Sequence, residues 1–103
     1  MNAIDRLLKP RSVAVIGASA DAGKTSGLPV RFLQKHGFAG EIWPVNPRVS
    51  DIGGLRCYPD IASLPGAPDV GLVLLGASRA HQAVTELAAR GTPASIEIGR
   101  AHV

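Results

Sequence analysis

Two continuous apolar runs constrain the fold more than any other feature of this 103-residue chain. Residues 12–16 read Ser-Val-Ala-Val-Ile, and residues 70–75 read Val-Gly-Leu-Val-Leu-Leu. Both faces of such a strand are apolar, which is typical of a central strand in a parallel sheet that helices cover on each side. Helical patterns follow the two runs, at residues 28–36 and 79–90. The alternation predicts an α/β fold.

Weaker patterns supply the rest of the predicted architecture. Residues 41–46 predict a strand near an edge of the sheet, because Pro44 and Pro47 lack the amide donors of a ladder. A fourth strand begins at Ala94, and residues 51–58 are rich in turn formers. This order predicts the N-terminal portion of a Rossmann-like, doubly wound parallel sheet with about four strands and intervening helices.

The predicted helices should each turn an apolar stripe toward the sheet. A further short amphipathic helix is predicted at residues 2–8, and Ser78 is the expected N-cap of the last helix. The residues predicted to face inward are Val30, Phe32 and Leu33 in the first main helix, Ile61 and Leu64 in a short helical turn, and Ala80, Ala83, Val84, Leu87 and Ala88 in the last helix.

Three loops are expected to meet at a ligand site. In an open parallel sheet, ligands bind beyond the carboxyl ends of the strands, near the point where the strand order reverses. That geometry selects the loops at residues 17–27, 46–48 and 76–78. In the last of these, Gly76 and Ala77 are small and leave room for a ligand.

The first loop resembles a phosphate-binding turn. Gly17 has no Cβ, so a phosphate can approach the backbone, and Ser19 and Lys24 add a hydroxyl and a positive charge. The dinucleotide fingerprint Gly-x-Gly-x-x-Gly fails because Ser19 and Ala22 replace its second and third glycines. The P-loop pattern fails as well, because the Gly-Lys-Thr at residues 23–25 comes one residue too late.

The second loop distinguishes between cofactors. An NAD enzyme typically carries Asp or Glu at the end of this strand, whereas this chain has the uncharged Asn46. Arg48 suits a phosphate on a ribose, a group that both CoA and NADP carry. The predicted ligand-binding residues are Gly17, Ala18, Ser19, Lys24, Asn46, Pro47, Arg48, Gly76 and Ala77.

Composition and isolated polar residues exclude several other functions. The net charge of +3 is scattered, which favours a small anionic ligand over nucleic acid. The single cysteine, Cys57, excludes an internal disulfide, and neither His36 nor His81 has partners at metal-ligand spacing. No carboxylate pair is placed for acid–base catalysis. Without a signal peptide or a run approaching the ~20 apolar residues of a membrane span, the expected location is the cytoplasm.

With these residues in view, the chain resembles the CoA-binding domain family, which opens the NDP-forming acyl-CoA synthetases and also occurs in the succinyl-CoA ligase alpha subunit and related protein acetyltransferases. The resemblance implies that the loops around Gly17 and Arg48 contact the phosphates and adenosine of CoA. The family commonly has a Pro-Ala pair where this chain has Gly76 and Ala77. The resemblance rests on residues 10–19, 40–48, 54–59 and 68–70.

The resemblance also implies a parent enzyme, an NDP-forming acid–CoA ligase that works through a phosphohistidine in a later domain. In that enzyme an ATP-grasp domain or subunit binds the NTP or NDP with Mg, so this chain alone would bind CoA or acyl-CoA without catalysis. Two alternatives stay open. One is the NADP-binding part of an oxidoreductase, and the other is a stand-alone CoA-binding regulatory module.

The last seven residues are expected to be foreign to this domain. Residues 97–103 read Glu-Ile-Gly-Arg-Ala-His-Val, which a common sequencing-library adapter encodes when it is read through to its stop codon. The sequence therefore predicts a partial CoA-binding domain at residues 1–96, followed by an adapter-derived tail at residues 97–103.

Overall fold

A computed structural model of the chain describes residues 10–19 and 27–97. The predicted helix at residues 2–8, Lys24 and residues 98–103 of the predicted tail lie outside the described residues. The elements are strand β1 (Ser12–Ile16), helix α1 (Leu28–Lys35), strands β2 (Glu41–Val45), β3 (Asp51–Ile52) and β4 (Leu55–Arg56), a 3-10 turn (Ile61–Ser63), strand β5 (Val70–Val73), helix α2 (Ala77–Arg90) and strand β6 (Ala94–Glu97).

Four parallel strands form the main sheet in the order β2-β1-β5-β6. In the register of β1, Val13 pairs with Ile42 on one side and with Val70 on the other. The predicted edge position of β2 is confirmed. The chain passes from β2 across β1 to reach β5, so the strand order reverses between β1 and β5. The predicted parallel α/β sheet is confirmed.

Strand β1 separates two buried layers. Ala14 and Ile16 point into a cluster with residues of α2, whereas Val13 and Val15 point into a cluster with Val30 of α1. Alternate side chains of a strand face opposite sides of the sheet, so a run that is apolar at every position supplies both layers at once. The sheet is therefore covered by a helix on each face, as expected for a doubly wound fold.

Two predicted inward residues are exposed. Phe32 is 62% exposed, and its ring makes an edge contact with the His36 ring, with 4.2 Å between centroids. Ala88 is also exposed, one position beyond the buried Leu87. Each helix contacts the sheet along a narrow stripe, and a residue one position away is rotated by about 100°, which turns it toward solvent.

The structure differs from the prediction at two further places. Helix α2 begins at Ala77 with Gly76 as N-cap, and no side chain caps it, so the predicted cap role of Ser78 is wrong. Residues 51–58, predicted as turns, contain the β3–β4 hairpin. Gly53 and Gly54 both have positive φ, as a tight two-residue hairpin loop requires.

Candidate ligand-binding site

The loop after β1 passes very close to the ends of both neighbouring strands. The N–H of Gly17 donates to the carbonyl oxygen of Val45 over 2.9 Å. Gly17 has φ +86°, and a Cβ at this position would lie 2.8 Å from Leu75 Cδ2 and 3.0 Å from the Leu74 carbonyl oxygen. Only glycine allows the chain to follow this path, because any side chain adds both backbone strain and a collision.

Asn46 ties the first two predicted loops together. Its Nδ2 donates to the carbonyl oxygen of Ala18 over 2.8 Å, and its Oδ1 accepts from the backbone N–H of Arg48 over 2.8 Å. The Asn46 backbone N–H donates to the carbonyl oxygen of Tyr58 over 2.9 Å. The side chain thus makes hydrogen bonds within the protein at both its polar atoms, and it orders the edge of the site.

A cleft of about 220 Å³ opens at this edge, on the face of the sheet that α2 covers. Its lining combines apolar side chains with two prolines and four polar side chains, those of Asp60, Arg79, Gln82 and Glu86. Among the predicted binding residues, Gly17 and Pro47 line the cleft. The lining residues are Ile16, Gly17, Val45, Pro47, Pro59, Asp60, Ile61, Leu75, Arg79, Gln82, Ala83 and Glu86.

The other described residues of the predicted set lie around the same edge but do not line this cleft. Ala18 is fully buried, and Ser19 is half-buried beside it. Arg48, Gly76 and Ala77 are exposed on the segments that follow β2 and β5. The three predicted loops therefore start from the same edge of the sheet, but among their described binding residues only Gly17 and Pro47 line the cleft.

Sequence reasoning missed the polar side chains that α2 contributes. Arg79, Gln82 and Glu86 recur at helical spacing, and they run down the helix beside the buried Ala83. Because α2 follows β5, its first turns lie at the carboxyl edge of the sheet. The signal was present in the sequence as a polar stripe adjoining the apolar one, which by itself is typical of any solvated helix face.

Asp60 was also missed, and it has a local structural role. Its Oδ1 accepts from the backbone N–H of Ser63 over 2.8 Å and from the Ser63 Oγ over 2.7 Å, so it caps the 3-10 turn. Among the described residues that line the cleft, Arg79 is the one with a positive charge, facing a lining that also holds Asp60 and Glu86. The lining therefore has both apolar and polar side chains, which suits reversible binding of a ligand with both characters.

No group of three or more His, Cys, Asp or Glu side chains among residues 10–19 and 27–97 could hold a metal ion. No helix in these same ranges is long and apolar enough to cross a membrane.

Cys57 is buried behind the second loop, with its Sγ 3.7 Å from the carbonyl oxygen of Asn46. Burial raises the pKa of the thiol; the hydrogen bond with the Asn46 backbone opposes the shift, and the charge of Asp51 adds to it. At pH 8 we expect Cys57 to react with a disulfide reagent about a hundredfold more slowly in the folded chain than in urea. Absorbance of the released thiolate measures both rates, and equal rates would contradict the burial.

The raised pKa of Cys57 makes the free energy of unfolding depend on pH. Because the folded-state pKa lies above the unfolded one, the protonated thiol contributes stability that is fully present below the unfolded pKa. That contribution is lost as the pH rises through the folded pKa. Replacing Cys57 with alanine should therefore remove an alkaline decline in unfolding free energy.

Comparison with known proteins identifies the domain. A family model described as a CoA binding domain matches residues 11–98, which is most of the chain. The chain belongs to the CoA-binding domain family. Two curated relatives of this CoA-binding domain are a trans-feruloyl-CoA synthase from an unknown prokaryotic organism, 39% identical over 93 residues, and the ADP-forming acetate–CoA ligase II of Archaeoglobus fulgidus, 38% identical over 90 residues.

A solved structure gives the same result for the fold. The CoA-binding domain superposes on acetyl-coenzyme A synthetase 1 of Ca. Korarchaeum cryptofilum with a TM-score of 0.81 and 30% identity, over 86% of this chain and 19% of that one. The matches to the two curated relatives cover 90% and 87% of this chain but only 13% of each relative. The predicted membership of the family and the Rossmann-like fold are both confirmed.

Proposed function

We propose that this chain is the CoA-binding domain of an NDP-forming acyl-CoA ligase and that it holds the phosphates and adenosine of CoA at the carboxyl edge of its sheet. The position of Gly17 supports this assignment most directly. The loop it begins lies where the strand order reverses, and Gly17 itself lines the cleft.

The phosphates and the adenosine of CoA would bind in two neighbouring regions of the domain. The backbone of residues 17–19 receives the pyrophosphate, with Ser19 and Lys24 as further donors, and the exposed guanidinium of Arg48 receives the phosphate on the ribose. Asn46 keeps both loops in place through its bonds to Ala18 and Arg48.

The cleft would take the adenosine. Its apolar lining residues match a flat base, and its polar side chains match the edge of the base and the sugar. Gly76 and Ala77 contribute by being small, since their exposed positions after β5 leave the approach to the cleft open.

The ligase reaction itself would take place on other parts of a longer protein. In the proposed parent enzyme that reaction also uses an NTP or NDP with Mg. An ATP-grasp domain or subunit would bind those groups. The acyl group need not touch this domain, whose relatives include ligases named for feruloyl and acetyl substrates.

Replacing Arg48 with alanine tests the assignment of the ribose phosphate. We expect the affinity for CoA to fall by a factor of about 10 to 100, because a charge-assisted hydrogen bond is worth about 1.5–3 kcal/mol. The affinity for dephospho-CoA, which lacks that phosphate, should stay unchanged. Isothermal titration of the 103-residue chain with both ligands measures the difference.

Arg11→Ala is the matched control, because Arg11 is an exposed arginine just before β1, at the opposite edge of the sheet. It should leave both affinities unchanged. Equal losses for CoA and dephospho-CoA in the Arg48 variant would contradict the phosphate contact. Tighter binding of NADP than of CoA by the unmodified chain would favour the oxidoreductase alternative over the ligase.

A further inference from the structure

Arg90 connects the two walls of the cleft without lining it. It lies in the last turn of α2, the helix that carries Arg79, Gln82 and Glu86 on one wall. Its Nη1 donates to the carbonyl oxygens of Ile61 and Ala62 over 2.9 Å and 3.0 Å, and its Nη2 donates to that of Leu64 over 3.2 Å. The other wall begins in this same segment.

The segment at residues 59–64 has little regular structure of its own. Its 3-10 turn is three residues long, so its last carbonyl groups lack the partners that a longer helix would provide. Asp60 caps the start of the turn, and Ile61 and Leu64 are buried against the core. The guanidinium of Arg90 supplies donors to the carbonyl groups of Ala62 and Leu64, and a second donor to that of Ile61, which also accepts from the backbone N–H of Leu64.

We infer that Arg90 is a positioning residue for the ligand, an inference that rests on the proposed binding of adenosine in the cleft. By holding residues 61–64 against α2, it fixes the separation between the wall with Asp60 and Ile61 and the wall with Arg79. A planar guanidinium can reach three carbonyl oxygens at once, whereas a lysine ammonium is a point charge on a flexible stem. The shape of the group, beyond its charge, is therefore required.

Arg90→Lys tests this role, because it keeps the positive charge at the end of α2 and removes the planar fork. We expect CoA and adenosine 3′,5′-bisphosphate to bind about tenfold more weakly and by the same factor, because the loss concerns the adenosine. Hydrogen exchange at the amides of Ser63 and Leu64 should accelerate without ligand. The affinities are measured at a temperature at which circular dichroism shows every variant to be fully folded. A variant that is merely less stable would therefore keep its affinity.

Two further variants complete the test. Arg90→Met, which removes the charge as well, should bind CoA no more strongly than Arg90→Lys. Lys35→Met removes a cation from the last turn of α1, on the other face of the sheet, and should leave CoA affinity unchanged. Unchanged CoA affinity in the Arg90→Lys variant would overturn the inference about Arg90 but not the proposed function. An unmodified chain that does not bind CoA would overturn the proposed function, and the exchange rates would still decide whether Arg90 holds the wall.

Discussion

Replacing Gly17 with alanine is expected to lower the free energy of unfolding by about 3 kcal/mol and to abolish measurable CoA binding. The backbone there has φ +86°, which costs a residue with a side chain about 1–2 kcal/mol. The new Cβ would also lie 2.8 Å from Leu75 Cδ2 and 3.0 Å from the Leu74 carbonyl oxygen. Urea denaturation measures the stability, and calorimetric titration measures the binding.

Gly54→Ala separates the two causes. Gly54 also has a left-handed backbone, with φ +81°, but nothing lies within 4 Å of the position that a Cβ would occupy. This control should cost about 1 kcal/mol through backbone strain alone, and it should leave CoA binding unchanged. Equal stability losses at the two positions would show that the close approach at Gly17 is unimportant. Normal CoA affinity in a folded Gly17→Ala chain would remove residues 17–19 from the proposed phosphate site.

Replacing Asn46 with aspartate should lower the unfolding free energy by about 2 kcal/mol at neutral pH. The Nδ2 that donates to the Ala18 carbonyl oxygen over 2.8 Å would be replaced by a carboxylate oxygen, so two acceptors would face each other. The negative charge would also lie beside the proposed phosphate loop, and CoA should bind more weakly. Urea denaturation at a series of pH values measures the stability.

The pH dependence of the Asn46→Asp variant has a definite sign. In the folded state the introduced carboxyl should have a raised pKa, because only its protonated form can donate to the Ala18 carbonyl group. The variant should therefore be closest to the unmodified chain below about pH 4, the ordinary range for an aspartate. The deficit should then grow as the pH rises through the folded-state pKa.

Gln34→Glu is the matched control for that exchange. The Gln34 Nε2 also donates to a backbone carbonyl, that of Gly53, over 2.8 Å, but it does so at an exposed site. Water can replace the lost donor there, so the stability should change by less than about 0.5 kcal/mol. A loss in Asn46→Asp no larger than this, or one independent of pH, would contradict the role of Asn46 as the tie between the loops.

Local patterns were sufficient to predict the strands of the main sheet, the two main helices and their layers, although they missed the β3–β4 hairpin. The runs that became β1 and β5 are apolar on both faces, and such strands can be buried only between two layers. Pro44 and Pro47 likewise predicted the edge position of β2, because a missing amide donor is a property of the residue itself. Gly17 was identified from its position after the first strand, and its backbone has the conformation that glycine permits.

The walls of the cleft could not be predicted in the same way. A polar stripe of Arg79, Gln82 and Glu86 has the same appearance in sequence whether it faces water or a cleft. What decides between them is the segment around Asp60 and Ile61, which lies opposite α2. Phe32 shows the same limit, since the rotation of α1 on the sheet decides which apolar residue is buried.

The sequence by itself determined the kind of fold, the edge of the sheet at which a ligand is proposed to bind and the glycine that begins the loop there. These properties depend on the alternation of side chains between the two faces of a strand and on the backbone freedom of single residues. Both are determined by residues that are close together in the sequence. Only the tertiary structure decided that Asn46 joins two loops and that Arg90 holds one cleft wall against the other. Those contacts join residues 28 and 29 positions apart, and chain folding, which local patterns do not record, brings them together.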